Sequence, residues 1–156
     1  PGYPLLTMLN YAFMKAVSQG SPAWRANLLS AIADTACAAC IVLSVNLLGS
    51  LRCKPGQGAA RLAAACSVAM LYAFSPLTWQ YAVTAEVFAL NNALTAFLVY
   101  LTLAFAASST SQGRLFYAHL GALVCGLALC NQHTAVLFEV PLILFVLWGL
   151  RRELAV

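Results

Sequence analysis

Few side chains in this sequence can do chemistry, and they fall in three short stretches and two isolated positions. Arg25 stands about one turn into a long apolar run. There a guanidinium can hold a phosphate through two hydrogen bonds while its stem stays in apolar surroundings, although an Arg snorkelling to a membrane interface takes the same place. Trp79, Gln80 and Tyr81 lead into Glu86, with Asn91 and Asn92 a turn or more beyond. A carboxylate in a first helical turn, after a capping Thr84, is favoured by the helix dipole, but this corner has more aromatic and hydrogen-bonding groups than a connector needs, which suits a ligand-facing loop. Asn131-Gln132-His133-Thr134 sits between two apolar runs, where it can cap a helix end or offer donors to phosphate or sugar hydroxyls. No second His or Cys lies near enough to His133 to suggest zinc, so no metal ligand set is expected.

Asp34 and Glu139 each lie within an apolar run, where an ionised carboxylate costs about 2.5–3.5 kcal/mol on insertion scales. Both should therefore face protein or water. Each is a functional candidate, or is protonated or bonded to a neighbouring helix. Cys37-Ala-Ala-Cys40 has the spacing of a redox motif, but within a lipid-spanning helix it lacks solvent access and reads as small-residue helix packing.

The elements that hold these groups are set by the solvent they require. With 63% hydrophobic and 8% charged residues and a mean hydropathy of +0.86, the chain belongs in lipid. Its net charge of +4 is scattered among apolar runs, which leaves no surface for nucleic acid. A spanning helix needs about 20 mostly apolar residues. Five such runs are predicted: Leu28–Gly49, Ala59–Leu77, Val83–Ala107, Leu115–Leu129 and Thr134–Leu150, the last two short. Turn-like breaks at Cys53-Lys54-Pro55-Gly56, Ser108-Ser109-Thr110-Ser111 and Asn131-Gln132-His133 separate them.

Ahead of the first span, Leu5, Leu6, Met8, Leu9, Phe13 and Val17 recur at helical spacing, with Thr7, Asn10, Lys15 and Ser18 on the other side. That pattern predicts an amphipathic helix lying along the membrane surface. Gln19-Gly20-Ser21-Pro22 ends it, with Ser21 as N-cap and Pro22 as first residue of the next helix, and Trp24 at the lipid–water boundary. The organisation is thus an amphipathic segment over residues 1–20 followed by five spans over residues 21–156.

Alternation of the spans places Arg52, Lys54, Arg61, Arg114, Arg151 and Arg152 on one face, which the positive-inside rule makes cytosolic. Lys15, Arg25, Trp79, Glu86 and His133 then lie on the opposite, lumenal face. In sealed microsomes, Cys53 is expected to react with a membrane-impermeant thiol reagent, and its protection until the membrane is opened would reverse this orientation. Short hairpins should also bring the polar stretches together, so that Arg25, Glu86 and His133 border one groove beside the amphipathic helix.

The chain opens Pro1-Gly2-Tyr3-Pro4 without an initiator Met or a signal peptide, and truncation upstream is expected. No internal repeat, Asn-x-Ser/Thr acceptor, Walker loop, dinucleotide fingerprint or Cys/His metal motif occurs in it.

Three stretches carry a family resemblance: Pro1-Gly-Tyr-Pro-Leu with Gly20-Ser-Pro-Ala-Trp-Arg-Ala-Asn-Leu-Leu-Ser30, then Leu77-Thr-Trp-Gln-Tyr-Ala-Val-Thr-Ala-Glu-Val-Phe-Ala-Leu-Asn-Asn92, then Gly126-Leu-Ala-Leu-Cys-Asn-Gln-His-Thr134. In that order and spacing they resemble the transmembrane protein 260 family, multi-spanning glycosyltransferases of the GT-C fold. The resemblance implies an all-α polytopic membrane bundle of the GT-C type in the endoplasmic-reticulum membrane. It also implies transfer of mannose from a dolichyl-phosphate donor to Ser or Thr of immunoglobulin-like IPT domains in plexin-type receptors. No bound cofactor is implied beyond that lipid-linked donor substrate. The acidic residue that serves the acceptor in GT-C enzymes would precede Pro1, so the catalytic base is expected outside these residues and the chain alone is expected to be inactive. The positions carried over by matching motifs are Tyr3, Arg25, Trp79, Gln80, Glu86, Asn91, Asn131, Gln132 and His133, as candidates for holding donor or acceptor. Asp34 and Glu139 fall outside the matching stretches.

Two other readings compete with the enzyme. A transporter or channel module would use Asp34 and Glu139 as titrating groups, but would be expected to show matching halves with interrupted helices, which are not seen. A catalytically silent scaffold would lack the upstream carboxylate.

Overall fold

The computed structural model describes residues 3–52 and 56–151. Cys53, Lys54 and Arg152, named above for the basic face, lie outside the described residues, as do Pro1 and Gly2. The described chain is an all-α bundle: α1 (Pro4–Ala16), α2 (Pro22–Arg52), α3 (Gly58–Ala73), α4 (Pro76–Ala82), α5 (Val87–Ala107), α6 (Ser111–Asn131) and α7 (Val136–Leu150). A 3₁₀ turn, His133–Ala135, leads into α7. Helices are the only open-ended way to satisfy every backbone N–H and C=O within lipid. α2, α5, α6 and the 3₁₀ turn with α7 are each long and apolar enough to cross a bilayer, and α3 with α4 makes a fifth span if that bent pair is counted as one.

Local chemistry sets the helix ends. Ser21 Oγ accepts the Trp24 N–H at 3.2 Å, and Pro22 opens α2 as expected. Gly20 turns the chain with φ +78° against the Trp24 indole, so closely that a Cβ there would collide with the ring. At 31 residues α2 is about 46 Å long, more than the roughly 30 Å of hydrocarbon, so it must tilt or project beyond it.

Three predicted boundaries need correction. The run Ala59–Leu77 is not one straight helix: α3 stops at Ala73 and α4 leaves at 70°. Pro76 cannot donate to the preceding turn, and Ser75 accepts the Thr78 N–H at 3.2 Å, which starts a new helix instead. The third span begins at Val87 rather than Val83, because the Thr84 hydroxyl turns back to the Gln80 carbonyl (2.8 Å) and caps nothing; Glu86 takes the N-cap position without a side-chain bond. The fourth span is longer than Leu115–Leu129. Thr110 Oγ1 accepts the Gly113 N–H at 3.2 Å, drawing the polar Ser111-Gln112-Gly113-Arg114 into the first turn of α6.

α5 is the central helix, packed on α2 along one side and on α6 along the other. The contact with α6 is built from Leu98, Leu101 and Val124. The buried face of α2 is made of small groups, Ser30, Ala33, Asp34 and Cys37, while Ala65 of α3 and Ala89 of α5 are wholly buried. In lipid no hydrophobic effect drives helices together, so close approach over small side chains supplies the attraction. Cys37 and Cys40 are free thiols, Cys37 being buried in this packing, in keeping with the small-residue reading. The outward faces are large and apolar: Leu71 is 77% and Leu137 80% exposed, the surface that lipid covers.

α1 packs against α2 and α6. Its inward stripe is Leu6, Asn10 and Phe13, at positions i, i+4 and i+7. Asn10, predicted on the polar side, therefore faces protein, and its Oδ1 is buried. Met8 and Tyr11 point outward.

Candidate functional site at the polar end of the bundle

Up-and-down order sets the start of α2, the start of α5, the end of α6 and the start of α7 at one end of the bundle, with α1 across it. The candidate residues occupy this end in different ways. Asn131, the last residue of α6, is 1% exposed, and its Nδ2 donates to the Val87 carbonyl at 3.3 Å. Two of the three polar stretches are thereby joined directly, 44 positions apart in sequence. Gln132 leaves the helix in extended conformation, its N–H on the Ala128 carbonyl at 2.7 Å and its side chain turned inward with Oε1 buried. His133 and Glu86 are exposed beside them. Asn91, one turn into α5 from Val87, is half-buried with Oδ1 enclosed.

α4 carries Trp79 and Gln80 on its outer side, both exposed. Tyr81 turns the other way and stacks on Phe88 with ring centroids 4.7 Å apart, which fixes α4 to the first turn of α5. Tyr3 is the N-cap residue of α1 and is largely exposed, its carbonyl accepting both the Thr7 N–H and hydroxyl at 3.0 Å.

Arg25 is half-buried where α1 meets α2. Its Nη1 donates to the carbonyls of Met14 (2.7 Å) and Val17 (2.8 Å), the exposed acceptors at the end of α1. A cation at a helix C-terminus is also favoured by the dipole. Neither snorkelling nor phosphate binding predicted this tie. Nε is buried and has no partner among the described residues, so the Nε–Nη2 edge, which grips an oxyanion side-on, is not used by the helix.

The site as a whole is short of partners. Ser30 Oγ, Asn91 Oδ1, Asn131 Oδ1, Gln132 Oε1, Asn10 Oδ1 and Arg25 Nε are all buried with no hydrogen bond among the described residues. Buried polar atoms in proteins nearly always find partners, so such a concentration marks a place that water or a polar ligand completes. Asn10 and Ser30 escaped the sequence reading, since an Asn on an amphipathic helix and a Ser in an apolar run give no local sign of which way they point.

Asp34 lies deeper, 5% exposed, with Oδ1 accepting the Tyr72 hydroxyl at 2.7 Å. The Asn92 side chain lies beside the same carboxyl, so α2, α3 and α5 meet there. Tyr72→Phe is expected to lower the stability of the bundle by about 0.6–1.7 kcal/mol, the worth of an interhelical hydrogen bond in lipid, read as a fall in detergent unfolding temperature. Glu139, 1% exposed in α7, likewise faces protein, as its cost in lipid demands.

The sequence matches the family model described as Protein O-mannosyl-transferase TMEM260 N-terminal domain over residues 1–155. Protein O-mannosyl-transferase TMEM260 of Mus musculus is 37% identical over 153 residues, which cover 98% of this chain and 20% of that protein. Protein O-mannosyl-transferase tmem260 of Dictyostelium discoideum is 29% identical over 161 residues, covering 95% of this chain and 18% of the relative. The chain thus spans about a fifth of the length of these curated relatives. No solved structure matches it. A multi-pass membrane bundle matched over residues 1–155 in this way belongs to the family of the TMEM260 N-terminal domain.

Proposed function

We propose that this chain is membrane-embedded machinery of a protein O-mannosyltransferase in the endoplasmic reticulum, and that its polar end receives the mannosyl phosphate head of a dolichyl-phosphate donor. The observation that carries this reading is the set of buried, unpartnered polar atoms on Arg25, Ser30, Asn91, Asn131 and Gln132. A sugar phosphate offers many donors and acceptors, and its charge suits the free edge of Arg25. Exposed Trp79 and His133 at the rim then face the lumen, where the acceptor hydroxyl arrives. Transfer proceeds by attack of a Ser or Thr oxygen on the sugar's anomeric carbon with departure of the lipid phosphate. Its barrier falls when fixed donors meet the charge growing on that phosphate in a partly dehydrated site. The relatives' names supply the class of reaction.

The test uses the full-length protein in detergent with dolichyl-phosphate mannose and a purified plexin-type IPT domain, and follows a hexose added to Ser or Thr by peptide mass spectrometry. Transfer that depends on the lipid-linked donor supports the reading. Transfer from a nucleotide sugar without the lipid donor, or none with an intact and correctly inserted protein, would refute it.

A further inference from the structure

At the opposite end of the bundle an apolar groove of about 150 Å³ opens between α5, α6 and α7. Its floor on α6 is Ala118, Gly121, Ala122 and Cys125, and its walls run from Leu98 to Phe105 on α5 and from Leu142 to Leu150 on α7. α6 and α7 barely touch along it, which leaves the groove open to the membrane. An apolar void of this size binds apolar matter in preference to water.

Its length indicates what fills it. From Leu142 to Leu150 it runs roughly 12 Å at 1.5 Å per residue, about one leaflet of a roughly 30 Å hydrocarbon layer. A spanning helix would pack through the whole thickness. Its outer mouth is basic. Arg114 donates to the Gly149 carbonyl and lies over the Phe105 ring, 4.9 Å from its centroid, so it sits where the α5 and α7 walls end. Arg151 follows Leu150 directly, its guanidinium 3.7 Å over the Trp148 ring. The described carboxylates, Asp34, Glu86 and Glu139, all belong to helix halves nearer the polar end.

We propose that this groove is a binding site for an anionic phospholipid of the leaflet at the basic end, one acyl chain lying along α6 and the phosphate meeting Arg114 and Arg151. The charge of the mouth calls for an anion, and Trp148 marks the depth at which headgroups begin. A polyprenyl donor whose phosphate sits at the polar end would have to enter this groove tail first from the wrong leaflet.

The test uses the full-length protein in nanodiscs with phosphatidylserine or phosphatidylcholine bearing a photoreactive group near the acyl terminus, and in parallel a photoreactive polyprenyl phosphate. Phosphatidylserine is expected to label the α6 peptide around Tyr117 to Cys125 in preference to phosphatidylcholine. Arg151→Gln, on the exposed surface, should lower that labelling about fivefold. Ala122→Phe, which fills the groove from an exposed position, should lower it at least about tenfold while the unfolding temperature holds. Equal labelling by both phospholipids, labelling by the polyprenyl phosphate alone, or no labelling of α6 by any probe would overturn the proposal, the last because a protein segment then fills the groove.

Discussion

Mannose transfer by full-length Arg25→Ala is expected to fall by about 10²–10³, the usual loss when one stabiliser of developing charge is removed. Two contributions add in that figure. Nη1 holds the carbonyls of Met14 and Val17, so the variant releases the end of α1 and leaves those acceptors without their partner. The Nε–Nη2 edge supplies the phosphate contact. Arg25→Lys separates them: an ammonium can still reach the carbonyls of α1, but has no planar fork. The Lys variant should therefore keep α1 docked, measured as protection of the Lys15 to Arg25 segment from trypsin, while turnover stays well below the parent. Near-normal transfer by Arg25→Ala would assign Arg25 to anchoring alone. Loss of transfer and of α1 protection together in both variants would make it a positioning residue that acts through α1.

The second large effect is on assembly. Ala89 is fully buried in α5, the helix that packs on both α2 and α6. Its replacement by Leu forces these helices apart or distorts rotamers, and is expected to cost about 1–3 kcal/mol. Because the same helix carries the Val87 carbonyl that Asn131 holds, the displacement should also loosen the polar end and lower activity. Ala39→Leu, on an exposed face of α2, adds the same volume toward lipid and should stay within about 0.5 kcal/mol of the parent. Unfolding temperatures of the two variants in one detergent check this. Equal, small shifts would mean that the interior of the bundle has room the packing does not suggest.

The sequence by itself determined the membrane class, the apolar runs, the capping of α2 by Ser21 and Pro22, and the division of the bundle into a basic and a polar end. Each of these depends on neighbours within a few residues, which is the range over which hydropathy, caps and charge bias act. The resemblance carried by three stretches identified the family. Tertiary structure alone decided that Asn10 points inward, that Arg25 closes the end of α1, that Tyr72 meets Asp34 across 38 positions, and that Asn131 holds Val87. The break at Ser75–Pro76 was present in the residues but hidden by averaging hydropathy across an apolar run. The physical reason is common to these cases: helices that are apolar nearly all round do not announce which face turns inward. Where polar side chains meet is therefore set by the angles and depths at which whole helices pack.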